Sequence, residues 1–325
     1  MLLQPPASMA HDTITFPAWA VYLFLIPIFT FGVWQLNSAI LPPPPPPGAL
    51  RGKRVVLLIA HPDDESMFFS PTLLGLTNPA LGNHVKILCL STGNADGLGE
   101  TRKKELEAAA VKLGVRNRED VLTMEDPRFK DGMKEQWDEQ EIAKVLAQAF
   151  APDIGMPDTS ERKKNKKTAS SKEGPRATID ALITFDGHGV SSHPNHIALF
   201  HGARHFLSNL MRDHSGYSCP ITMYTLTSIN VLRKYAFVLD VAPTYFVGLV
   251  SDILAGASGK KKVAKKGYSK GSKGDRVMFT SDVSRYLKAR DAMVNGHKSQ
   301  MVWFRWGWIG VGRYMVVNDL KREDV

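Results

Sequence analysis

The sequence predicts an α/β fold, a Rossmann-like, mostly parallel sheet with helices on both faces, preceded by one N-terminal transmembrane helix. Apolar runs of strand length alternate with amphipathic helical segments, which is typical of parallel sheets. The runs are nearly continuous, as expected for strands that are buried on both faces. The membrane helix is predicted because no Lys, Arg, Asp or Glu occurs between residues 13 and 50.

The predicted membrane anchor covers residues 16–36, an apolar segment of 21 residues that is long enough for a bilayer core of about 30 Å. A cleaved signal peptide is the alternative, but no Lys or Arg precedes the segment and no small-residue cleavage site follows it. Arg51, Lys53 and Arg54 follow the segment, so the positive-inside rule predicts a luminal tail at residues 1–15 and a cytosolic domain after residue 50.

A proline-rich segment connects this anchor to the rest of the chain. Residues 42–47 are six consecutive prolines, which favour an extended, semi-rigid spacer within residues 37–52. Such a run can also be a ligand for SH3-like domains. We expect one catalytic domain over residues 53–325.

The strands and helices of this domain follow from its apolar pattern. A helix that ends at Gly114 is indicated by the apolar face of residues 99–115. The predicted strands span residues 54–60, 84–93, 121–124, 180–185 and 221–227, and the predicted helices span residues 65–76, 99–115, 139–150 and 193–211.

Two lysine-rich segments, at about residues 155–177 and 257–276, have the composition of disordered insertions. They account for the formal charge of +9, because the chain without residues 161–176 and 258–276 carries a net charge of −3. The folded body is therefore mildly acidic, and we expect no nucleic-acid partner. The insertions are either solvated loops or contacts to an anionic membrane.

Polar side chains are concentrated after two of the predicted strands. The sequence HPDDE at residues 61–65 follows the first strand, and a segment with His188, His193 and His196 follows the strand at residues 180–185. Ligands of parallel sheets bind beyond the carboxyl ends of the strands, so the two segments predict one site. The alternatives are a helix-capping turn at residues 61–65 and histidines that are purely structural.

These residues have the chemistry of a catalytic metal site. His61, Asp64 and His196 would provide three ligands and leave a fourth position open, as in catalytic zinc sites, although Fe²⁺ accepts the same donors. Asp63 could accept a proton from the attacking water, and His193 could act as a cation or proton donor on the opposite side of the substrate.

Other polar residues near these segments have less certain roles. Glu65 either interacts with a helix dipole or orients His61. Asn94 and Arg102 lie in a Gly-rich connection and, with His188, are candidates for substrate binding. The alternative is that Asn94 belongs to a simple connection and Arg102 to a solvated helix face.

Two apolar segments occur near the C-terminus. Residues 241–257 are too short an apolar stretch to be expected to form a second membrane span. The aromatic side chains of the other segment could lie at the membrane interface or in the core; they are Trp303, Phe304, Trp306 and Trp308.

Four motifs together resemble the PIG-L/LmbE-like zinc de-N-acetylases: AHPDDE, STGNADGLGETRKKEL, TFDGHGVSSHPNH and VWFRWGWIGVGRYMVVN. The resemblance covers most of the chain from about residue 53. It implies zinc ligands at His61, Asp64 and His196, a general base at Asp63, and a stabilising or acidic group at His193. His188 lies where the family motif varies.

With the N-terminal anchor, the resemblance implies hydrolysis of the N-acetyl group of N-acetylglucosaminyl-phosphatidylinositol (GlcNAc-PI), an early step of GPI-anchor biosynthesis. The enzyme would lie in the endoplasmic reticulum membrane with a cytosolic active site, and its partner would be the phospholipid-linked sugar. Two alternatives remain: a zinc deacetylase of another N-acetyl amino-sugar conjugate, and a non-catalytic, membrane-tethered scaffold that binds anionic lipid or RNA.

Overall fold

The computed structural model of the protein describes residues 18–41, 50–152, 174–257 and 276–324. The proline run and most of the two lysine-rich insertions fall outside these ranges. The extended spacer predicted for the first and the disorder predicted for the others therefore lie outside the described residues. The strands are β1 Arg54–Ile59, β2 His84–Cys89, β3 Val121–Thr123, β4 Ala181–Phe185, β5 Thr222–Leu226, β6 Arg276–Thr280 and β7 Val317–Glu323.

Helices precede, connect and cover these strands. They are α1 Ala18–Ile40, α2 Asp64–Met67, α3 Ser70–Leu76, α4 Gly99–Lys112, α5 Glu139–Phe150, α6 Gly189–Ser192, α7 Pro194–Met211, α8 Val231–Lys234, α9 Val241–Ala257, α10 Val283–Asp291 and α11 Trp303–Val311.

The seven strands form one sheet in the order β3-β2-β1-β4-β5-β7-β6. Strands β1 to β5 pair in parallel, with Leu57 opposite Ile87 on one side and Ile183 on the other. Strand β7 is antiparallel to both β5 and β6. The predicted mostly parallel α/β sheet is therefore confirmed. The chain order reverses between β1 and β4, and this is where parallel sheets open a ligand-binding crevice.

The core lies on both faces of the central strands. In β1 every residue after Arg54 is buried, and all five residues of β4 are buried. Helices α5 and α7 pack against each other at Gly202, where an added β-carbon would lie 2.5 Å from the β-carbon of Ile142. These close-packed layers fix the positions of the strand ends that carry the polar segments.

The helix predicted at residues 65–76 is wrong as a single element, because the structure has two short helices, α2 and α3, in its place. Pro71 lies in the first turn of α3 and has no N–H with which to bond the carbonyl of Met67. The indole Nε1 of Trp308 donates to that carbonyl instead, at 3.0 Å. This hydrogen bond at the break therefore connects the region after the first polar segment to the C-terminal region.

The C-terminal strands β6 and β7 were not predicted from the sequence. The sequence predicts the second lysine-rich insertion at about residues 257–276. Both of these end residues instead belong to secondary structure, because Ala257 is the last residue of α9 and Arg276 is the first residue of β6. Arg276 forms an ion pair with Asp319 of β7 and is thus part of the sheet.

Helix α1 extends the predicted anchor by four residues, because it ends at Ile40 rather than at residue 36. Among the described residues, Val21–Ile40 is the one segment that is long and apolar enough to cross a membrane. Trp34 is nevertheless buried, and its Nε1 donates to the carbonyl of Ser281 at 3.0 Å. The last turns of α1 therefore pack on the catalytic domain. Helix α9 is 17 residues long and falls short of a span, as expected.

Candidate active site

The structure brings the two predicted polar segments together at the crevice between β1 and β4. His61 and Asp64 follow β1, and His196 lies in the first turn of α7, the longer of the two helices that follow β4. One ligand atom from each of these three side chains lies within 4.8 Å of the other two. The geometry on which the predicted metal site depends is thus present.

Asp64 is held in place by its own loop. One carboxylate oxygen, Oδ2, accepts the backbone N–H groups of Ala60 and His61, each at 3.0 Å. The other, Oδ1, faces His196 Nε2 at 3.1 Å. Burial would raise the pKa of Asp64, but the charges of His196 and His61 and the hydrogen bonds outweigh it and lower the pKa to about 2. Asp64 is therefore a carboxylate at neutral pH.

The ring of His196 is fixed on both sides. It stacks on Phe185, the last residue of β4, with a centroid distance of 3.8 Å and an interplanar angle of 5°. Its Nδ1 lies 3.1 Å from the carbonyl of Gly189, an acceptor that places the ring proton on Nδ1. Nε2 then keeps its lone pair and points toward Asp64, as metal-ligating histidines require.

Asp131 is a site residue that the sequence analysis missed. It lies in the connection after β3, and its Oδ1 contacts His61 Nε2 at 3.1 Å. The Oδ1 of Asn195 lies at the same distance from that nitrogen. Burial lowers the pKa of His61, but the hydrogen bond to Asp131 and the charges of Asp64 and Asp131 outweigh it, so the pKa is raised overall. Asp131 thus orients the imidazole of His61 by accepting its Nε2 proton.

A second donor set overlaps the first, because ligand atoms of His61, Asp131 and His193 also lie within 4.8 Å of one another. Its three residues are all half-buried, whereas Asp64 and His196 are buried. Asp131 also forms a hydrogen bond with His61 Nε2. The other ring nitrogen of His61, Nδ1, then faces Asp64 and lies 4.0 Å from Asp64 Oδ2. These contacts favour the set with Asp64 and His196 as the metal site.

Asp63 has a strained backbone and a cationic partner. Its φ is 117°, in the left-handed region that residues other than glycine rarely adopt, and it is 5% exposed. Its carboxylate forms an ion pair with Arg305 of α11. Burial lowers the pKa of Arg305 to about 10, so the guanidinium is still charged at neutral pH. Arg305 lies in the aromatic C-terminal motif, where its contact with Asp63 was not predicted.

Glu65 lies in the first turn of α2, as the helix-dipole role considered for it requires, and its carboxylate contacts Ser66, His297 and the backbone of Asp63 rather than His61. It is completely buried, and its Oε1 lies 2.6 Å from Nε2 of His297, a residue that was also missed. The other oxygen, Oε2, accepts the backbone N–H of Asp63 at 3.1 Å. Glu65 therefore supports the strained Asp63 and fastens the C-terminal region to this loop.

His193 lies beside the rings of the two candidate metal ligands, with centroid distances of 4.9 Å to His61 and 5.0 Å to His196. Burial, followed by the charges of His196 and His61, lowers its pKa to about 4. The imidazole is thus neutral at pH 7 here, which differs from the cation considered from the sequence. A negative charge that develops next to the ring would raise this pKa.

The candidate substrate-binding residues lie in two loops. Asn94 donates to Glu125 and accepts the N–H of Gly99, each at 2.9 Å, and Arg102 donates to the carbonyl of Gly93 and to Asp96. Both side chains thus hold the connection between β2 and α4.

This connection reaches the site at Gly93, where an added β-carbon would lie 3.6 Å from Asp131 Oδ2. His188 is exposed at the start of α6. Roles in substrate binding for Asn94, Arg102 and His188 stay predictions.

Helix α11 divides its aromatic residues between solvent and core. Trp303 is 85% exposed, and Phe304 and Trp306 are also exposed, whereas Trp308 is buried. The core alternative therefore holds for Trp308, and a position at the membrane interface stays a prediction for the three exposed side chains. The exposed group lies on the same short helix as Arg305.

Comparison with known proteins gives one consistent family. Residues 56–207 match the family PIG-L, described as GlcNAc-PI de-N-acetylase. An N-acetylglucosaminyl-phosphatidylinositol de-N-acetylase of Arthroderma benhamiae is 46% identical, over 96% of this chain and 99% of that protein. A probable enzyme of the same name from Schizosaccharomyces pombe is 37% identical over 82% and 86%. The Bos taurus enzyme is 31% identical over 83% of each chain.

Proposed function

Since this chain belongs to the PIG-L family of GlcNAc-PI de-N-acetylases, we propose that it hydrolyses the N-acetyl group of GlcNAc-PI to give glucosaminyl-phosphatidylinositol and acetate. It is an amide hydrolase that acts in GPI-anchor biosynthesis. The observation that carries this proposal is the convergence of His61, Asp64 and His196 beside Asp63, in a chain that is similar to such an enzyme along almost its whole length.

We assign the metal to zinc, held by His61, Asp64 and His196. Two imidazoles and one carboxylate with an open fourth position fit a catalytic zinc ion, and Fe²⁺ is the alternative that the same donors accept. The bound ion would polarise the acetyl carbonyl and lower the pKa of water to about 7. Asp131 would orient His61 for this role.

Asp63 and His193 carry out the proton transfers. Asp63, held by Arg305 and by Glu65, accepts the proton of the attacking water. His193 lies beside His61, and its ring N–H can stabilise the negative charge on the acetyl oxygen. That charge raises the pKa of His193, so the ring can then carry a proton to the departing amine, with protonated Asp63 as the other possible donor.

The decisive experiment assays microsomes with radiolabelled GlcNAc-PI. We expect Asp63→Asn to lower kcat by about 10²- to 10⁴-fold, the usual contribution of a general base. The matched control is Asp138→Asn, because Asp138 is an exposed helix cap whose function asparagine retains. Deacetylation of soluble GlcNAc conjugates but not of GlcNAc-PI would favour the other deacetylase, and no activity on either would favour the scaffold.

We further propose that α1 anchors the protein in the endoplasmic reticulum membrane with the catalytic domain in the cytosol. The length and apolar character of Val21–Ile40 and the positive charges at Arg51, Lys53 and Arg54 support this. In microsomes, a glycosylation site on an N-terminal extension should be modified and one on a C-terminal extension should not. Modification of the C-terminal site would reverse the assigned orientation.

A further inference from the structure

A polar cavity of about 300 Å³ lies just beyond the carboxyl end of β5. We call it the arginine cleft, because three arginines from three different elements line it: Arg233 of α8, Arg276 of β6 and Arg313, which follows α11. The remaining polar part of its lining includes Thr227, Ser228 and Asn230.

The arginine cleft carries a net positive charge. Arg233 and Arg313 share one carboxylate, since their Nε atoms lie 2.6 Å and 2.8 Å from the two oxygens of Asp240. Arg276 pairs with Asp319. Three guanidinium groups therefore face two carboxylates, and Arg313 and Asp240 are each 1% exposed. At such low exposure solvent screens an excess positive charge only weakly, and the cleft attracts an anion.

The charged groups at the edge of the cleft do not change this balance. Asp186 accepts two hydrogen bonds from Ser228, both at 2.6 Å, and adds one negative charge. Lys234, the neighbour of Arg233, donates to the carbonyl of Val190 at 2.7 Å and adds one positive charge. The excess of one positive charge remains.

One side of the cleft is apolar and continues onto an exposed helix face. Val247 of α9 lines the cleft and is 43% exposed. Phe246, Leu249 and Ile253 of the same helix are also exposed. A ligand with a phosphate and hydroxyl groups at one end and acyl chains at the other matches this change from polar to apolar surface.

The cleft lies next to the metal-binding residues. The Oγ of Ser228 accepts the N–H of Val190 at 2.7 Å, and the carbonyl of the preceding Gly189 contacts His196 Nδ1 at 3.1 Å. A short segment of α6 thus separates the cleft from His196. A substrate whose amide and phosphate are separated by two sugar-like rings could occupy both places.

We propose that the arginine cleft binds the phosphodiester of the glycolipid substrate, with the inositol ring between it and the acetamide group at the metal-binding residues. This inference rests on the proposed function and assigns a specificity site for it. Guanidinium groups suit this role because they bind phosphate oxygens with paired hydrogen bonds. Thr227, Ser228 and Asn230 offer hydrogen bonds to inositol hydroxyls.

The test compares GlcNAc-PI with GlcNAc-inositol, which has no phosphate, for Arg276→Gln and Arg233→Gln. We expect each variant to lower the ratio of kcat/KM for GlcNAc-PI to that for GlcNAc-inositol by at least about tenfold, the value of one charged hydrogen bond. Arg276→Lys should restore part of the ratio. The matched control is Arg54→Gln, because Arg54 also forms an ion pair, with Asp180, but lies at the opposite end of the sheet.

Equal losses on both substrates would overturn the proposal, because they would show a structural role for the arginines. Stimulation of GlcNAc-inositol hydrolysis by phosphatidylinositol vesicles, lost in Arg276→Gln, would also overturn it by assigning the cleft to a second lipid. If the unmodified protein hydrolyses neither substrate, the proposed function itself fails. If it hydrolyses both and the variants leave the ratio unchanged, only the assignment of the cleft fails.

Discussion

Replacing Asp131 with alanine tests how His61, a proposed metal ligand, is oriented. In the structure, Asp131 Oδ1 accepts from His61 Nε2 at 3.1 Å, which turns the other ring nitrogen toward Asp64. Without this acceptor the ring can rotate and change tautomer. We therefore expect Asp131→Ala to weaken zinc binding although Asp131 does not bind zinc itself.

The contacts of His61 set the size of this effect. Removing the hydrogen-bond partner of a metal ligand usually costs 10- to 100-fold in metal affinity. The side chain of Asp131 is 26% exposed, so solvent screens part of its charge, and Asn195 Oδ1 also lies 3.1 Å from His61 Nε2. We expect about a tenfold loss, equivalent to about 1.4 kcal/mol, and about 100-fold for Asp131→Ala combined with Asn195→Ala.

The assay is competition for zinc between the metal-free protein and a fluorescent chelator. The matched control is Asp126→Asn, because Asp126 lies in the same connection but pairs with Arg128. An affinity of Asp131→Ala within twofold of the unmodified protein would refute the orienting role. A loss as large as that of His61→Ala would show that Asp131 is itself a ligand, as in the alternative donor set.

Three further predictions follow from the contacts of the C-terminal region and of the core. Arg305→Gln should lower kcat/KM at least about tenfold with zinc content unchanged, because it leaves the buried carboxylate of Asp63 without a cation; a rise in activity would contradict this. Glu65→Ala should lower the free energy of unfolding by about 3–5 kcal/mol in urea titrations, because His297 loses its buried partner. Gly202→Ala should cost about 1–3 kcal/mol in the same titrations, because the new methyl group would lie 2.5 Å from a β-carbon of α5.

The central sheet could be predicted because its strands are buried on both faces and read as continuous apolar runs, as in RVVLLI of β1. The same rule misses β7, because its sequence VNDLKRE mixes apolar with charged residues. One of these charged residues, Asp319, forms an ion pair with Arg276 of β6. The helical pattern of residues 65–76 likewise misses the break between α2 and α3. Pro71 signals that break, but its consequence depends on Trp308, which takes up the freed carbonyl.

The proximity of the candidate ligands could be predicted, because His61 and Asp64 follow the end of β1 and His196 lies in the connection that follows the end of the neighbouring strand β4. Asp131 lies in the connection after β3, which also ends at this edge of the sheet, but Glu125 and Asp126 come before it in that connection. The strand-end argument applied to the third strand therefore points to this acidic connection but does not single out Asp131.

The contacts from the C-terminal region have no comparable signal. His297 and Glu65 are 232 positions apart, and no periodicity or spacing encodes a contact that only the packed chain creates. Arg305 reaches Asp63 from a helix whose aromatic residues are mostly exposed, so its own neighbours in sequence suggest a surface role. The two motifs with the proposed metal ligands therefore bring those side chains together, but the carboxylate assigned as general base depends on a third, distant segment for its charge partner. A catalytic site defined by those motifs alone would leave Asp63 buried, strained and unpaired, which is unfavourable for an ionised side chain.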